Sequence, residues 1–213
     1  MSRKPPVKNS TNKGAGNVVG KLRIIGGEWR SRQLPVADLP GLRPTTDRVR
    51  ETLFNWMQND IPGARCLDLF AGSGALGFEA ASRGAASVTM IELQNNAMQI
   101  LKSNKQLLGA NQGDDNNRAN NIELIQQNAL VWLAAYQGKP FDVVFLDPPY
   151  DSDFLEQAIR LIDEQACLSV NACIYLECAS NQELPELPTG WALSKEKKAG
   201  HVKYFLARYD ADS

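Results

Sequence analysis

Apolar residues recur along the chain with two periods, and the two alternate. Near-continuous apolar runs at Ala64–Phe70, Val88–Glu92, Ile122–Gln126, Phe141–Asp147, Cys173–Glu177 and Val202–Arg208 predict buried strands. Between them, helical spacing predicts helices over Gln94–Leu108, Ala129–Tyr136 and Phe154–Glu164, and another opened by glycines after the first run. Strands apolar on both faces, alternating with helices, predict a parallel sheet covered on both sides: a doubly wound Rossmann-like α/β domain. Gly109–Asn121, rich in Asn and Gly, reads as a polar inserted loop.

Ahead of this domain the pattern changes. Lys21–Ile25 and Glu28–Leu34 flank Gly26-Gly27 and predict a small hairpin, followed by an irregular connection through Pro35, Pro40, Gly41 and Pro44. Thr45-Thr46-Asp47 supplies capping oxygens for a helix whose apolar face is Val49, Leu53, Phe54, Trp56 and Met57, closed by Pro62-Gly63. The chain thus divides into a disordered basic tail (1–20), a hairpin-plus-helix extension (21–62) and the α/β domain (63–209).

Composition narrows the class. With 213 residues, 43% of them hydrophobic and 22% charged, the chain fits one domain with a sizeable core. Apolar runs too short to span a bilayer and an N-terminus without a signal-like stretch lead to the expectation of a soluble, cytoplasmic protein with no membrane partner. The four cysteines form no C-x-x-C pair and His201 is the only histidine, so no metal site is expected; Cys66 and Cys173 read as reduced, buried thiols. Net charge is only −1, but Arg3, Lys4, Lys8, Lys13, Lys21 and Arg23 precede the first acid, Glu28, and Arg30, Arg32, Arg43, Arg48 and Arg50 follow. A basic N-terminal portion beside a more acidic remainder suits a phosphate-rich partner; a solvated tail is the plainer alternative. Trp29 has arginines around it and is the one tryptophan considered as a base platform, while Trp56, Trp132 and Trp191 read as core or interface.

The first strand runs into Asp68-Leu-Phe-Ala-Gly72-Ser-Gly74-Ala-Leu-Gly77, with Glu92 about one strand later. The glycine spacing alone matches a dinucleotide fingerprint and would allow an NAD-dependent oxidoreductase. Asp68 weighs against that, because a carboxylate at the strand end repels a pyrophosphate. It suits S-adenosylmethionine, which carries a sulfonium and an ammonium and no phosphate. Glu92 can accept ribose hydroxyls from either ligand.

Another strand ends in Asp147-Pro148-Pro149-Tyr150. The prolines stiffen the backbone and stop the sheet, presenting a carboxylate, a carbonyl and an aromatic ring together. An exocyclic base amine is a poor nucleophile because its lone pair is delocalised. Acceptors from Asp147 and the Pro148 carbonyl would hold both N–H bonds and aim the lone pair at an activated methyl group. Tyr150 would stack on the base through its ring, with no use for its hydroxyl.

The motifs Asp68–Gly74, Glu92 and Asp147–Tyr150 resemble the class I methyltransferases acting on amino groups. More narrowly, Arg23-Ile-Ile-Gly-Gly-x-Trp29-Arg30 and Gly41–Asn55 resemble the RsmD family of bacterial 16S ribosomal RNA guanine-N2 methyltransferases. The resemblance covers Leu22 to the final strand. It implies a class I methyltransferase sheet, S-adenosylmethionine as cofactor, and 16S rRNA, within the 30S subunit or its assembly intermediates, as partner. Carried over by position, Asp147, Pro148 and Tyr150 are catalytic. Asp68, Phe70, Gly72, Gly74, Glu92, Leu93, Asn128 and Ala129 hold the cofactor, Asn128 standing where many class I enzymes place an acid near the adenine amine. Arg23, Arg30, Arg43, Thr46, Arg48, Arg50 and Pro149 face the substrate, the helix arginines on its exposed side. A DNA adenine-N6 or protein-amide methyltransferase would use the same Asp-Pro-Pro-Tyr chemistry, and a non-catalytic RNA-binding protein could share the fold.

Overall fold

The structure, a computed structural model, describes residues 18–37, 46–110, 117–150 and 152–210. Most of the expected basic tail, the expected connection through Pro40 and Pro44, the middle of the polar loop, and Arg43 lie outside the described residues.

The N-terminal strands β1 (Val18–Arg23) and β2 (Gln33–Ala37) pair antiparallel and lead to helix α1 (Asp47–Trp56). Then follow β3 (Arg65–Asp68), α2 (Ala75–Ser82), β4 (Ser87–Glu92), α3 (Asn95–Gly109), β5 (Ile122–Gln126), α4 (Ala129–Ala134), β6 (Phe141–Leu146), α5 (Phe154–Glu164), β7 (Leu168–Ala179), β8 (Trp191–Ala199) and β9 (Val202–Tyr209). One sheet holds the last seven strands in the order β5-β4-β3-β6-β7-β9-β8. The pairs among β3 to β7 are parallel, whereas β9 runs antiparallel to both β7 and β8.

That antiparallel end departs from the all-parallel expectation. The connection from β8 to β9 is only Gly200 and His201, too short for the crossover a parallel pair requires. Strand β8 itself was not predicted. Residues Ala192–Lys198 are all exposed, so this edge strand carries no burial period to read. At the other end of the chain, the hairpin is real but shifted, and Pro35 lies inside β2 opposite Lys21 rather than in a connection. A two-stranded sheet leaves each strand an unpaired side, where a missing N–H costs little.

The sheet has two packed faces. Val143 and Phe145 of β6 join Leu22, Trp29, Leu34, Leu53, Phe54, Phe78 and Leu101 in one cluster. Their neighbours Val144 and Leu146 point to the other, with Leu133, Leu155, Ile159 and Ile162 from α4 and α5. The hairpin and α1 therefore share a core with α2 and α3. Trp29 is 1% exposed and belongs to that core, which removes it as a base platform.

A buried carboxylate fastens the hairpin. Glu79 of α2 accepts the backbone N–H groups of Ile25 and Gly26, both at 2.8 Å, and the Arg83 Nε at 2.7 Å. Arg50 of α1 completes the group, its Nη1 lying 3.6 Å from Glu79 and its Nη2 donating to the Arg23 carbonyl at 2.9 Å and to Asp47 at 2.7 Å. Next to it, Glu28 N–H donates to the Ser82 carbonyl and Trp29 N–H to the Ser82 hydroxyl. Gly27 permits this approach: its φ is +74°, and a Cβ there would sit 2.0 Å from the Ser82 oxygen.

Arg50 was expected on the exposed side of its helix and is instead fully buried. It lies three residues before Leu53 and four before Phe54, on the apolar stripe itself, so its charge serves Glu79 and Asp47 and not a nucleic acid.

Replacing Glu79 with Ala leaves two half-buried backbone N–H groups without their acceptor and removes one of the two carboxylates that face the buried Arg50 guanidinium. Urea denaturation of Glu79→Ala should show a loss of about 3–5 kcal/mol. A loss below about 1 kcal/mol would mean the hairpin is held by apolar packing alone.

Candidate active site

Strand order reverses between β3 and β6: the chain leaves β3 toward β4 and β5, and returns to place β6 on the other side. In an open α/β sheet this is where connections diverge and leave a crevice at the carboxyl edge. Asp68 ends β3 opposite Phe145 of β6, so Asp147 follows two residues further along the neighbouring strand. The two motifs singled out from the sequence thus flank one crevice.

On the β3 side, the backbone turns sharply through Gly72 (φ 50°) and Gly74 (φ 79°) into α2. A side chain at Gly74 would strike the Phe78 ring at 2.4 Å, so the loop closes tightly on its own helix. The Gly77 N–H donates to Asp68 at 2.9 Å. Glu92, ending β4, accepts the Gly72 N–H at 2.9 Å and the Gln94 N–H at 2.6 Å. The loop is therefore pinned between two carboxylates. Asp68 is 2% exposed. Burial pushes its pKa up to about 7; the Gly77 bond opposes the rise and the neighbouring Glu92 adds to it.

Phe70 stacks on Phe154, the first residue of α5, with ring centroids 6.3 Å apart. Leu93 is 59% exposed beside Glu92, an uncovered apolar surface at the crevice edge. Asn128 caps α4: its Oδ1 accepts the Leu130 and Val131 N–H groups at 3.0 and 3.1 Å, and Ala129 behind it is buried. The acceptor role expected of Asn128 toward an adenine amine therefore meets a carbonyl oxygen already engaged by the helix.

On the β6 side, Asp147 is half-buried, Pro148 buried, Pro149 exposed and Tyr150 half-buried. The Tyr150 hydroxyl donates to Glu177 of β7, and the Tyr175 hydroxyl donates to the other oxygen of the same carboxylate. Leu146 pairs with Leu176, so Glu177 stands beside Asp147 along the edge. The Tyr150 carbonyl accepts from Gln182 Nε2 at 2.6 Å. Burial, then the Asp147 and Glu177 charges, push the Tyr150 phenol well above its ordinary range, keeping it neutral. Burial also raises Glu177, against the pull of its two phenol donors. A cavity of about 230 Å³ opens here, lined by Pro148, Pro149, Tyr150, Leu155, Glu177 and Gln182.

Glu177, Tyr175 and Gln182 were not singled out from the sequence. One signal was available: an acid closing an apolar strand, as Asp68, Glu92 and Asp147 also do. The hydroxyl of Tyr150, expected to be idle, is engaged.

The arginines divide. Arg30 and Arg48 are exposed, as is Arg23, which pairs with Asp47 at 2.9 Å. Thr46 caps α1 by accepting the Val49 N–H at 3.4 Å. Arg32 donates to the Leu107 and Leu108 carbonyls at the end of α3. His201 lies in the β8–β9 turn, and all four cysteines are free and buried. Among the described residues no helix is long and apolar enough to cross a membrane.

The family model described as conserved hypothetical protein 95 matches residues 22–208. Ribosomal RNA small subunit methyltransferase D of Escherichia coli is 47% identical over 90% of this chain and 92% of its own length. The protein of the same name from Haemophilus influenzae is 48% identical over 89% of this chain and 95% of its own. The chain belongs to the RsmD family. A solved Escherichia coli structure, 45% identical, superposes at a TM-score of 0.80 and covers 90% of this chain and 99% of that one. The RsmD chain accordingly has the class I methyltransferase fold, with the antiparallel β9 and β8 completing its sheet.

In this RsmD chain the raised Asp68 has a stability signature. The unfolded chain ionises Asp68 near 3.8 while the folded chain holds the proton to about 7, so stability falls as pH rises between those values and is level above. Asp68→Asn keeps an acceptor for the Gly77 N–H and removes the ionisation. It should be more stable than the parent at pH 8, by up to roughly 4 kcal/mol, with the gap closing toward pH 4. Urea titrations across that range check it; a gap independent of pH would clear Asp68.

Proposed function

We propose that this chain transfers a methyl group from S-adenosylmethionine to the exocyclic N2 of a guanine in 16S ribosomal RNA, within the 30S subunit or its assembly intermediates. One observation carries the reading: the Asp68–Glu92 loop and the Asp147–Tyr150 strand end flank the same crevice between β3 and β6. The names of the 47% and 48% identical relatives support the ribosomal substrate.

The donor set fits the methyl donor. Among the described residues, the hydrogen bonds to Asp68 and Glu92 come from backbone N–H groups, and the two charges repel each other. A cation relieves that repulsion, whereas a pyrophosphate would worsen it. Asp68 and Glu92 would hold the ligand's positive and hydroxyl groups, Gly72 and Gly74 let its chain approach the backbone, and Phe70, Leu93, Asn128 and Ala129 flank it. Bound there, S-adenosylmethionine supplies a methyl carbon already activated by its sulfonium.

The chain's task is then to prepare the amine. The Asp147 carboxylate and Pro148 carbonyl accept the two N2–H bonds, which draws the lone pair out of conjugation and aims it. The Tyr150 ring stacks on the base, with Pro149 at the rim. The new C–N bond forms as the C–S bond breaks with its electron pair on sulfur, and the N2 proton leaves to Asp147 or water. Residues 63–209 form the catalytic domain, and 21–62 present Arg23, Arg30, Arg48 and Thr46 toward RNA phosphates. A ribosomal substrate places the protein in the cytoplasm.

The test is incubation with tritiated S-adenosylmethionine and 30S particles lacking the modification, followed by nucleoside analysis. Label should appear as N2-methylguanosine. Asp147→Ala should lower the rate at least about 100-fold with S-adenosylmethionine affinity nearly unchanged. Label confined to DNA or protein, or full activity in Asp147→Ala, overturns the reading.

A further inference from the structure

Glu177 is the least expected group at this edge. It is 2% exposed, its two oxygens receive the hydroxyls of Tyr150 and Tyr175, and it stands beside Asp147 while lining the cavity under Pro148 and Pro149. A buried carboxylate needs donors, and two neutral phenols satisfy it without a cation. Tyr175 is fully buried in the sheet, its ring packed on Phe145 and Tyr204. Tyr150 follows two prolines on a turn and is only half-buried, the less enclosed partner of the pair. The enclosed phenol therefore orients the carboxylate, and the carboxylate orients the half-exposed ring. Gln182 holds the same residue from its other end, donating to the Tyr150 carbonyl while its own Oε1 accepts the Ala179 N–H at 3.1 Å.

We propose that Glu177 is a positioning residue for methyl transfer: through the Tyr150 hydroxyl it fixes the ring against which the target base is held, with Tyr175 as the enclosed backstop. This rests on the reading of Asp147–Tyr150 as the base-holding edge. Glu177 touches no reacting atom. Its effect falls on the orientation of the bound base and hence on kcat with the particle, and leaves the methyl-donor pocket on the β3 side alone.

The full chain and unmodified 30S particles serve for the test, with kcat and KM for the particle, S-adenosylmethionine affinity by calorimetry, and thermal midpoint recorded for each variant. Tyr150→Phe and Glu177→Ala should each lower kcat about 10- to 100-fold, the size expected for losing a hydrogen bond to a charged group, with donor affinity within about twofold. Combined, they should be no worse than the stronger single change, because both remove one link. Glu177→Gln should recover activity to within about fivefold of the parent, since its amide oxygen still accepts one phenol and its NH2 can meet the other oxygen. Should Glu177→Ala fail to fold, Tyr150→Phe removes the same bond without opening a cavity and carries the test. Parental kcat in Tyr150→Phe, or losses that multiply in the double variant, overturns the proposal. Tyr150→Ala separates the two levels: full activity there sinks the base-holding reading itself, whereas an inactive Tyr150→Ala beside a parental Tyr150→Phe sinks only the anchor.

Discussion

The reversal of strand order between β3 and β6 is the constraint on which the rest depends. Parallel strands must be joined over a face, and where successive connections go opposite ways no backbone crosses the carboxyl edge. The crevice is a consequence of topology before any side chain is specified. Side chains decide what it can hold: Asp68 and Glu92 arrive from β3 and β4, Asp147 from β6 and Glu177 from β7. Four acids at one edge would be costly in a closed core. Here Glu92 and Asp147 are only half-buried, and the two buried acids are held by fixed donors, Asp68 by the Gly77 N–H and Glu177 by two phenols.

Three buried carboxylates show how environment sets role. Glu79 has two arginines and two backbone N–H groups, so its charge is matched and it fastens the hairpin. Glu177 has two phenols, which satisfy its lone pairs but bring no charge. Asp68 accepts a backbone N–H from Gly77 and has an acid for a neighbour, and burial carries its pKa up to about 7. Of these three, Asp68 is the one with neither an arginine nor a phenol among the donors described. Similarly buried carboxylates thus differ in charge balance according to what surrounds them, and the proposed roles of Asp68 and Glu177 follow from that difference.

Legibility from sequence followed burial. Helix α5 was read to the residue because its apolar period is clean, and strand β5 because a short apolar run is bounded by polar residues on both sides. The Asp-Pro-Pro-Tyr turn and the glycine loop were legible because proline and glycine act locally on the backbone. Strand β8 was not, since an edge strand with its side chains in solvent has no burial signal. Glu177 was passed over because its meaning lies in pairing: nothing local shows that β7 lies beside β6 in a register that sets it next to Asp147 and under Tyr150. Long-range register is what a one-dimensional pattern lacks.

Arginine illustrates the same limit from the side of charge. Arg23, Arg30, Arg32, Arg48 and Arg50 form one basic stretch in the sequence, with the expectation that much of it meets phosphate. In the fold, Arg50 is sealed in the core and Arg32 binds the end of α3, whereas Arg30 and Arg48 reach solvent. A guanidinium pointed inward supports the platform, and one pointed outward is free to steer a polyanion. The first kind cannot be removed to test RNA binding without loosening the hairpin and helix α1, which carry the second. Substitutions at Arg30 and Arg48 are therefore the informative ones for RNA affinity, and a loss of binding in an Arg50 variant reports on the scaffold.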